Sequence, residues 1–246
     1  MPKDLVNSSR ETWLKIWSNT KFKDMPLWDD QCELVHNLLT SLLLINIKGK
    51  IILETGSGTG RISLRLAKEG AKVVLLDISP AAINSSKNLF RNYELVGESI
   101  IADIFHLPFK SNKFNAVWSS GVLEHFTFDE MGYIIDESLK ILKKEGALIV
   151  IVPNKNAFVY NFFRILDMKL GQWQWGYEEP LSSKDLYCFQ SKPIIHRSAG
   201  FIYQLNFFSL PYLKYVWHKV LHCVYPILKF LDKNMPGYLV AGLWKK

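Results

Sequence analysis

The sequence predicts an α/β fold in which a mostly parallel β-sheet carries helices on both faces. Short apolar segments alternate with amphipathic segments of about ten residues, the order expected when crossover helices join parallel strands. Two apolar segments, 71–77 and 147–153, are hydrophobic almost throughout, as strands are when both faces of a parallel sheet are covered. A glycine-rich turn at 56–60 follows the first strand. In such sheets ligands bind beyond the carboxyl ends of the strands.

The first hundred residues supply three of the strands. Leucines at helical spacing predict a helix at 30–44, Gly70 is placed to end a second helix, and Ser79 followed by Pro80 is a typical helix start. The predicted elements are, in order, a helix at 30–44, a strand at 51–54, a helix at 60–69, a strand at 71–77, a helix at 80–90 and a strand at 99–103.

The second half continues the alternation. Thr127 and Glu130 form a capping-box pattern for a helix with an apolar face, which Gly146 is predicted to close. The predicted strands are 114–120, 147–153, 200–208 and 238–244.

Composition excludes several classes of protein. With 48% hydrophobic and 22% charged residues, the 246-residue chain is expected to bury a large core. Its three cysteines lie far apart, which argues against a disulfide framework or zinc knuckle and favours a reducing, cytoplasmic setting. We expect no signal peptide or membrane-spanning segment. The net charge of +7 permits anionic partners, but without a basic tract nucleic-acid binding is not expected.

The turn after the first strand carries the strongest motif. A dinucleotide fingerprint, GxGxxG, would need glycine where this chain has Arg61. The chain instead has GxGxG, formed by Gly56, Gly58 and Gly60 and preceded by Glu54. This loop resembles motif I of the class I S-adenosylmethionine-dependent methyltransferases. Residues 50–154 resemble that superfamily, in the style of its ubiquinone/menaquinone-biosynthesis (type 11) members.

The resemblance implies a Rossmann-like three-layer αβα sandwich with a mostly parallel seven-stranded sheet whose last strand is antiparallel. It also implies that Asp77 binds the ribose hydroxyls, that Asp103 accepts from the adenine amino group beside Ile104, and that 119–122 run along the methionine part. Glu54 would supply the negative charge for the ammonium group. The implied S-adenosylmethionine-binding residues are Glu54, Gly56, Ser57, Gly58, Gly60, Asp77, Ile78, Asp103, Ile104, Ser119, Ser120 and Gly121.

Methyl transfer to an aligned acceptor requires no catalytic triad, since the sulfonium is already a good leaving group. His125 is the candidate general base, although a structural role is open, and His106 is an alternative closer to the adenine side. Glu124 would be able to pair with either histidine. No acidic or histidine cluster has metal-ligand spacing, so no metal is expected.

An aromatic segment predicts the acceptor site. We expect a domain at 49–246, an N-terminal helical segment at 1–48 covering the cofactor cleft, and insertions at about 155–192 and 207–236. The first insertion is predicted to form an apolar lid with Trp173, Trp175 and Tyr177 as substrate contacts, unless its aromatics are core. Trp13, Trp17 and Trp28 would close the cofactor side or pack in the core.

The second insertion contains a mixed apolar and basic stretch, 207–230, which suits a membrane surface, a buried helical insertion or a dimer contact. The expected partner is a small, apolar or lipid-like methyl acceptor, and the expected state a monomer or homodimer. Two alternatives stay open, a catalytically silent cofactor-binding subunit and, further off, an NAD(P)-dependent oxidoreductase. The acceptor atom, O, N or C, is not specified by the sequence.

Overall fold

The computed structural model describes residues 4–20, 26–208 and 230–246. Its seven-stranded sheet has the order β3-β2-β1-β4-β5-β7-β6. The strands are β1 Ile51–Thr55, β2 Lys72–Asp77, β3 Gly97–Ile101, β4 Phe114–Ser120, β5 Leu142–Pro153, β6 Ile195–Ala199 and β7 Leu239–Lys245. The helices are α1 Asp4–Asn19, α2 Asp30–Leu43, α3 Arg61–Lys68, α4 Pro80–Asn92, α5 Phe128–Ile141, α6 Phe158–Lys169, α7 Ser183–Leu186 and α8 Leu231–Asn234.

The strand directions confirm the predicted fold class. β1 to β5 pair in parallel, whereas β7 runs antiparallel to both of its neighbours, β5 and β6. Successive residues of a strand point to opposite faces. Ile52 accordingly packs into one hydrophobic core with α2 and α3, and Leu53 into a second core with α5. The sheet is therefore covered on both sides, and its carboxyl edge is left to form a site.

The predicted helix starts are present. The Ser79 hydroxyl accepts from the Ala82 N–H at 3.4 Å, and the Glu130 carboxylate accepts from the Thr127 N–H at 2.8 Å. These bonds satisfy backbone groups that the first turn of a helix leaves free. They fix the entries into α4 and α5, the helices that follow β2 and β4.

Two predicted elements of the second half are wrong. The strand predicted at 200–208 is a 3-10 helix at Tyr203–Phe208, and β6 lies earlier. Gly200 has φ of 84°, which interrupts extended backbone. The predicted helix end at Gly146 is also wrong, because α5 ends at Ile141 and Leu142, fully buried, already pairs with Phe114 of β4.

The proposed division into an N-terminal segment, a domain and two insertions stays a prediction. Most of the stretch 207–230 lies outside the described residues, so its three alternatives stay open. Within the parts of the chain that the structure describes, no helix has the length and apolar character needed to cross a bilayer.

Candidate functional site

The glycine-rich loop joins β1 to α3 in a conformation that only glycine adopts easily. Gly56, Gly58 and Gly60 have φ of 67°, 52° and 70°. A Cβ on Gly56 would lie 2.4 Å from Val122 Cγ2, and one on Gly58 would lie 2.8 Å from Trp17 Cζ2. The loop therefore needs glycine both for its backbone angles and for the close approach of its neighbours.

Asp77, the last residue of β2, holds this loop in place. Its Oδ2 accepts from the Gly58 N–H at 2.8 Å, and its Oδ1 accepts from the Ser79 N–H at 2.9 Å. Burial raises the pKa of this carboxyl, while the two backbone donors oppose the rise by favouring the charged form. Each oxygen keeps acceptor capacity beyond these bonds, because a carboxylate oxygen can accept more than one hydrogen bond.

Glu54, on β1, is the buried acid of the site. It is 6% exposed and lines the cavity, and its Oε2 has no hydrogen-bond partner within the described residues. Burial raises the pKa of Glu54 to about 8, and the nearby negative charge of Asp77 adds to the rise. The Ser57 hydroxyl in the same lining is also buried and has no hydrogen-bond partner in the part of the chain that the structure describes. Unpaired buried polar groups are costly, so this corner is suited to a polar, cationic ligand.

A cavity of about 370 Å³ opens where β1, β2 and β4 end. This is within the range of small-molecule sites. Of the sixteen residues predicted as catalytic, cofactor-binding or substrate-binding, twelve line it: Glu54, Gly56, Ser57, Gly58, Asp77, Ile78, Asp103, Ile104, Ser120, Gly121, His125 and Trp175. Four do not line it: Gly60, Ser119, Trp173 and Tyr177. Gly60 instead caps α3, and Ser119 is buried inside β4.

Trp173 and Tyr177 are placed by contacts other than the cavity. The Trp173 indole N–H donates to the Gly176 carbonyl at 2.8 Å, and its ring packs against the core on the α2 side. Tyr177 contributes its backbone carbonyl to His125, and its hydroxyl donates to Glu179 at 3.1 Å. Their predicted contact with substrate stays a prediction.

His125 has a defined tautomer. Its Nδ1 lies 2.6 Å from the Tyr177 carbonyl oxygen, which can only accept, so Nδ1 carries the proton and Nε2 the lone pair. Burial lowers the pKa of the imidazole, which is therefore neutral at physiological pH. Trp13 stacks edge-on at 4.9 Å between ring centroids. His106, the alternative base, is exposed and does not line the cavity.

The N-terminal helix supplies two cavity residues that the sequence did not single out, Ser9 and Arg10, together with Trp13 and Trp17, which were expected either to close the cofactor side or to pack in the core. The Ser9 hydroxyl donates to the His125 carbonyl at 3.1 Å, which ties α1 to the site. Trp28 lies elsewhere, beside Arg65 and His36. Arg10 could have been found from its spacing to Trp13 and Trp17, which places the three residues on one face of a helix.

An aromatic pair in the cavity lining was not predicted from the sequence. Phe105 and Phe126 line the cavity with their ring centroids 5.1 Å apart. Phe105 directly follows Ile104, so the apolar character of the segment after Asp103 was the available signal.

Glu124 does not serve His125 as a partner in a charge relay, because the His125 Nδ1 is occupied by the Tyr177 carbonyl. Glu124 is 2% exposed, with Oε2 unpartnered within the described residues, and burial beside Glu178 raises its pKa well above the usual value. Burial thus favours the protonated form of this carboxyl, whose Oε1 lies behind Gly121. In the described residues, no three His, Cys, Asp or Glu side chains gather as metal ligands, and the expectation of no metal stays a prediction.

The chain is similar to known methyltransferases in sequence and in fold. Residues 53–150 match the family model of a methyltransferase domain. The chain is 31% identical to the uncharacterised protein MJ0638 of Methanocaldococcus jannaschii, over 87% of this chain and 88% of that protein. It is 30% identical to the ubiquinone/menaquinone biosynthesis C-methyltransferase UbiE of Haemophilus ducreyi, over 47% of this chain and 48% of the enzyme. The chain thus matches about half the length of that enzyme.

A solved structure shares the fold over almost the whole chain. The geranyl diphosphate C-methyltransferase of Streptomyces coelicolor A3(2) has a TM-score of 0.66 at 10% identity, over 96% of this chain and 97% of that one. That structure contains Mg²⁺, geranyl diphosphate and S-adenosyl-L-homocysteine. At this identity the likeness concerns the fold. The chain therefore belongs to one family with MJ0638 and carries a methyltransferase domain at 53–150, whose strand-end acids lie in one cavity.

Proposed function

We propose that this protein uses S-adenosyl-L-methionine to methylate a small, apolar or lipid-like acceptor, with His125 as the general base. The observation that carries the proposal is the unpartnered Oε2 of Glu54, buried in a cavity with Asp77 and Asp103. A cationic group would pair with the Glu54 carboxylate, and hydroxyl and amino donors would bond to Asp77 and Asp103. S-Adenosylmethionine carries all three kinds of group.

The lining residues fit the cofactor part by part. Asp77 would accept from the ribose hydroxyls, and Glu54 would pair with the ammonium. Asp103 lines the cavity with Oδ1 accepting from the Phe105 N–H at 3.0 Å, which leaves Oδ2 for the adenine amino group. Ile78 and Ile104 offer apolar surfaces for the ring. The positive backbone angles of the glycine loop and the start of α3 suit the carboxylate.

The bound cofactor supplies an electrophilic methyl group on its sulfonium. The chain has to align the acceptor with that group, an effect worth about 7–11 kcal/mol in well-oriented systems. The His125 Nε2 is available to take a proton from an acceptor hydroxyl, amine or activated carbon. Trp13, Trp175 and Phe126 also line the cavity, with the Trp13 and Trp175 ring centroids 5.8 Å apart, and would offer an apolar surface to the acceptor.

Thermal unfolding with candidate cofactors tests the proposal. S-Adenosylmethionine or S-adenosylhomocysteine at about a hundred times its Kd is expected to add about 2.7 kcal/mol to the free energy of unfolding, and NAD to add nothing. Stabilisation by NAD alone would refute the proposal and favour an oxidoreductase.

His125→Ala is expected to lower kcat by about a hundredfold or more, the usual contribution of general-base catalysis, while the Kd of S-adenosylhomocysteine changes little. Because the pKa of His125 is lowered, the base is present from a pH below 6.5 upward, so kcat should rise through that lower pH and then stay level. Single-turnover rates across pH measure this. His106→Ala is the control, and an unchanged kcat in His125→Ala would leave His125 a structural role.

Trp175→Ala is expected to raise the KM for the acceptor at least tenfold, because Trp175 lines the cavity and stacks beside Trp13 at 5.8 Å. Trp173→Phe is the matched control, because Trp173 lies outside the lining. If the control variant loses acceptor affinity and Trp175→Ala does not, the substrate contacts lie on the core side of the segment. Both variants are compared by steady-state kinetics once an acceptor is in hand, and by recovery of a co-purified ligand before that.

The remaining expectations belong to the same proposal. We propose a cytoplasmic location, in which free cysteines suit the reducing environment, and a monomer or homodimer that does not bind nucleic acid. Contact with a membrane through 207–230 is also part of it.

A further inference from the structure

The helix α6 turns an apolar face outward. Phe158, Phe162 and Ile165 lie on one side of the helix at helical spacing and are 57%, 63% and 47% exposed. The same segment continues with three further exposed apolar side chains: Leu166, Met168 and Leu170. Soluble proteins rarely expose so many large apolar residues together, and such patches mark interaction surfaces. We call this set the α6 outward face.

Other side chains of α6 anchor the helix to the domain. Val159 and Tyr160 are buried, and the Tyr160 hydroxyl donates to Glu178 at 2.5 Å. The Asn161 side chain donates to the Asn154 and Ala157 carbonyls at the start of the helix. These contacts fix the orientation of α6, so the α6 outward face stays on the surface of the domain.

The charges around this face are positive. Lys155 precedes the helix and Lys169 ends it, both exposed, whereas Asp167 is half-buried. The chain as a whole carries +7. Apolar side chains flanked by lysines are suited to a bilayer with anionic headgroups. The apolar side chains can enter the acyl boundary, and the lysines can bind the anionic headgroups. A second copy would present the same lysines to each other, which disfavours self-association through this face.

The face is continuous in sequence with the cavity wall. Residue 170 ends the exposed run, and Trp175, itself partly exposed, lines the cavity beside Trp13. Contact of α6 with a lipid surface would thus hold the Trp175 side of the cavity near that surface.

We propose that the α6 outward face docks on an anionic lipid bilayer. The proposal goes beyond methyl transfer, and it is separate from the proposed contact through 207–230, because it assigns lipid contact to described residues of α6. It does not require cofactor or acceptor to be bound. Failure of the cofactor assays and failure of this proposal are therefore distinguishable.

Co-sedimentation of the full chain with vesicles tests the proposal. The protein is expected to sediment with vesicles of phosphatidylglycerol and phosphatidylcholine but not with phosphatidylcholine alone. Phe162→Glu is expected to lower the partition coefficient at least tenfold, and Ile165→Glu to act similarly. Val96→Glu is the matched control, because Val96 is 90% exposed in the turn between α4 and β3. The control adds the same charge and should sediment nearly as the parent chain does.

Two outcomes would overturn the proposal. One is equal sedimentation of Phe162→Glu and Val96→Glu, or no sedimentation with anionic vesicles at all. The other is a dimer in light scattering that Phe162→Glu dissociates, which would assign the face to a second copy. Unchanged melting temperature and S-adenosylhomocysteine binding in Phe162→Glu verify that the variant is folded.

Discussion

Replacing Asp77 by alanine is expected to weaken the binding of S-adenosylhomocysteine by about a hundredfold or more. Two hydrogen bonds from ribose hydroxyls to a charged acceptor contribute about 1.5–3 kcal/mol each. The substitution also frees the Gly58 and Ser79 N–H groups, which the carboxylate now holds at 2.8 and 2.9 Å. The loop would lose the carboxylate that holds it, and the ligand would lose its hydrogen-bond acceptor. Titration calorimetry measures the loss.

Glu98→Ala is the matched control for this variant. Glu98 is an exposed acid on β3, the strand paired with β2, so its removal changes charge and strand composition without touching the cavity. It should leave the Kd unchanged. An Asp77→Ala protein that melts as a folded protein and still binds S-adenosylhomocysteine with the parent affinity would contradict the assignment of the ribose site.

The second large effect concerns the proton on Glu54. Burial raises its pKa in the folded protein to about 8, above the ordinary value of 4.5, so between these values the folded state holds a proton that the unfolded state has lost. The free energy of unfolding should therefore fall by up to about 1.4 kcal/mol for each pH unit from pH 4.5 to about 8. The stabilisation is fully present below pH 4.5 and is lost as the pH rises through 8.

Cofactor binding should instead favour the ionised form of Glu54. The ammonium group favours the ionised carboxyl, so binding releases a proton, and the affinity should rise by up to tenfold for each pH unit as the pH approaches 8. Glu54→Gln should bind weakly and lose this part of the pH dependence. Calorimetry in two buffers with different ionisation enthalpies counts the released proton. Equal pH slopes for the parent and Glu54→Gln would show that the proton comes from elsewhere.

The half of the fold that forms the cavity could be predicted closely. β4 was predicted at its observed bounds, 114–120, because apolar residues dominate its first five positions and Gly121 follows the strand. Ser79 with Pro80, and Thr127 with Glu130, are local signals whose effect does not depend on distant contacts. β6 could not be found because only its two end residues are partly buried and it pairs on one side alone, so it carries no apolar pattern.

Some residues of the candidate site could also be predicted from the sequence, and others could not. Asp77 and Asp103 were identifiable because the ends of neighbouring parallel strands meet at one edge, whatever the loops do. Trp173 and Trp175 were not distinguishable, because they lie in an irregular segment where no periodicity indicates which side chain faces inward. The contribution of α1 depends on how the helix docks against His125, which is a matter of tertiary packing.

The position of β7 has a consequence for the order of folding. Residues 239–245 follow both β5 and β6 in the chain, yet they lie between these two strands in the sheet. The strands β1 to β5 can pair as soon as residue 153 has left the ribosome, whereas β6 has no neighbour until β7 has been synthesised. During translation the outer edge of β5 is therefore open, and the nascent protein has to keep that edge from pairing with another chain.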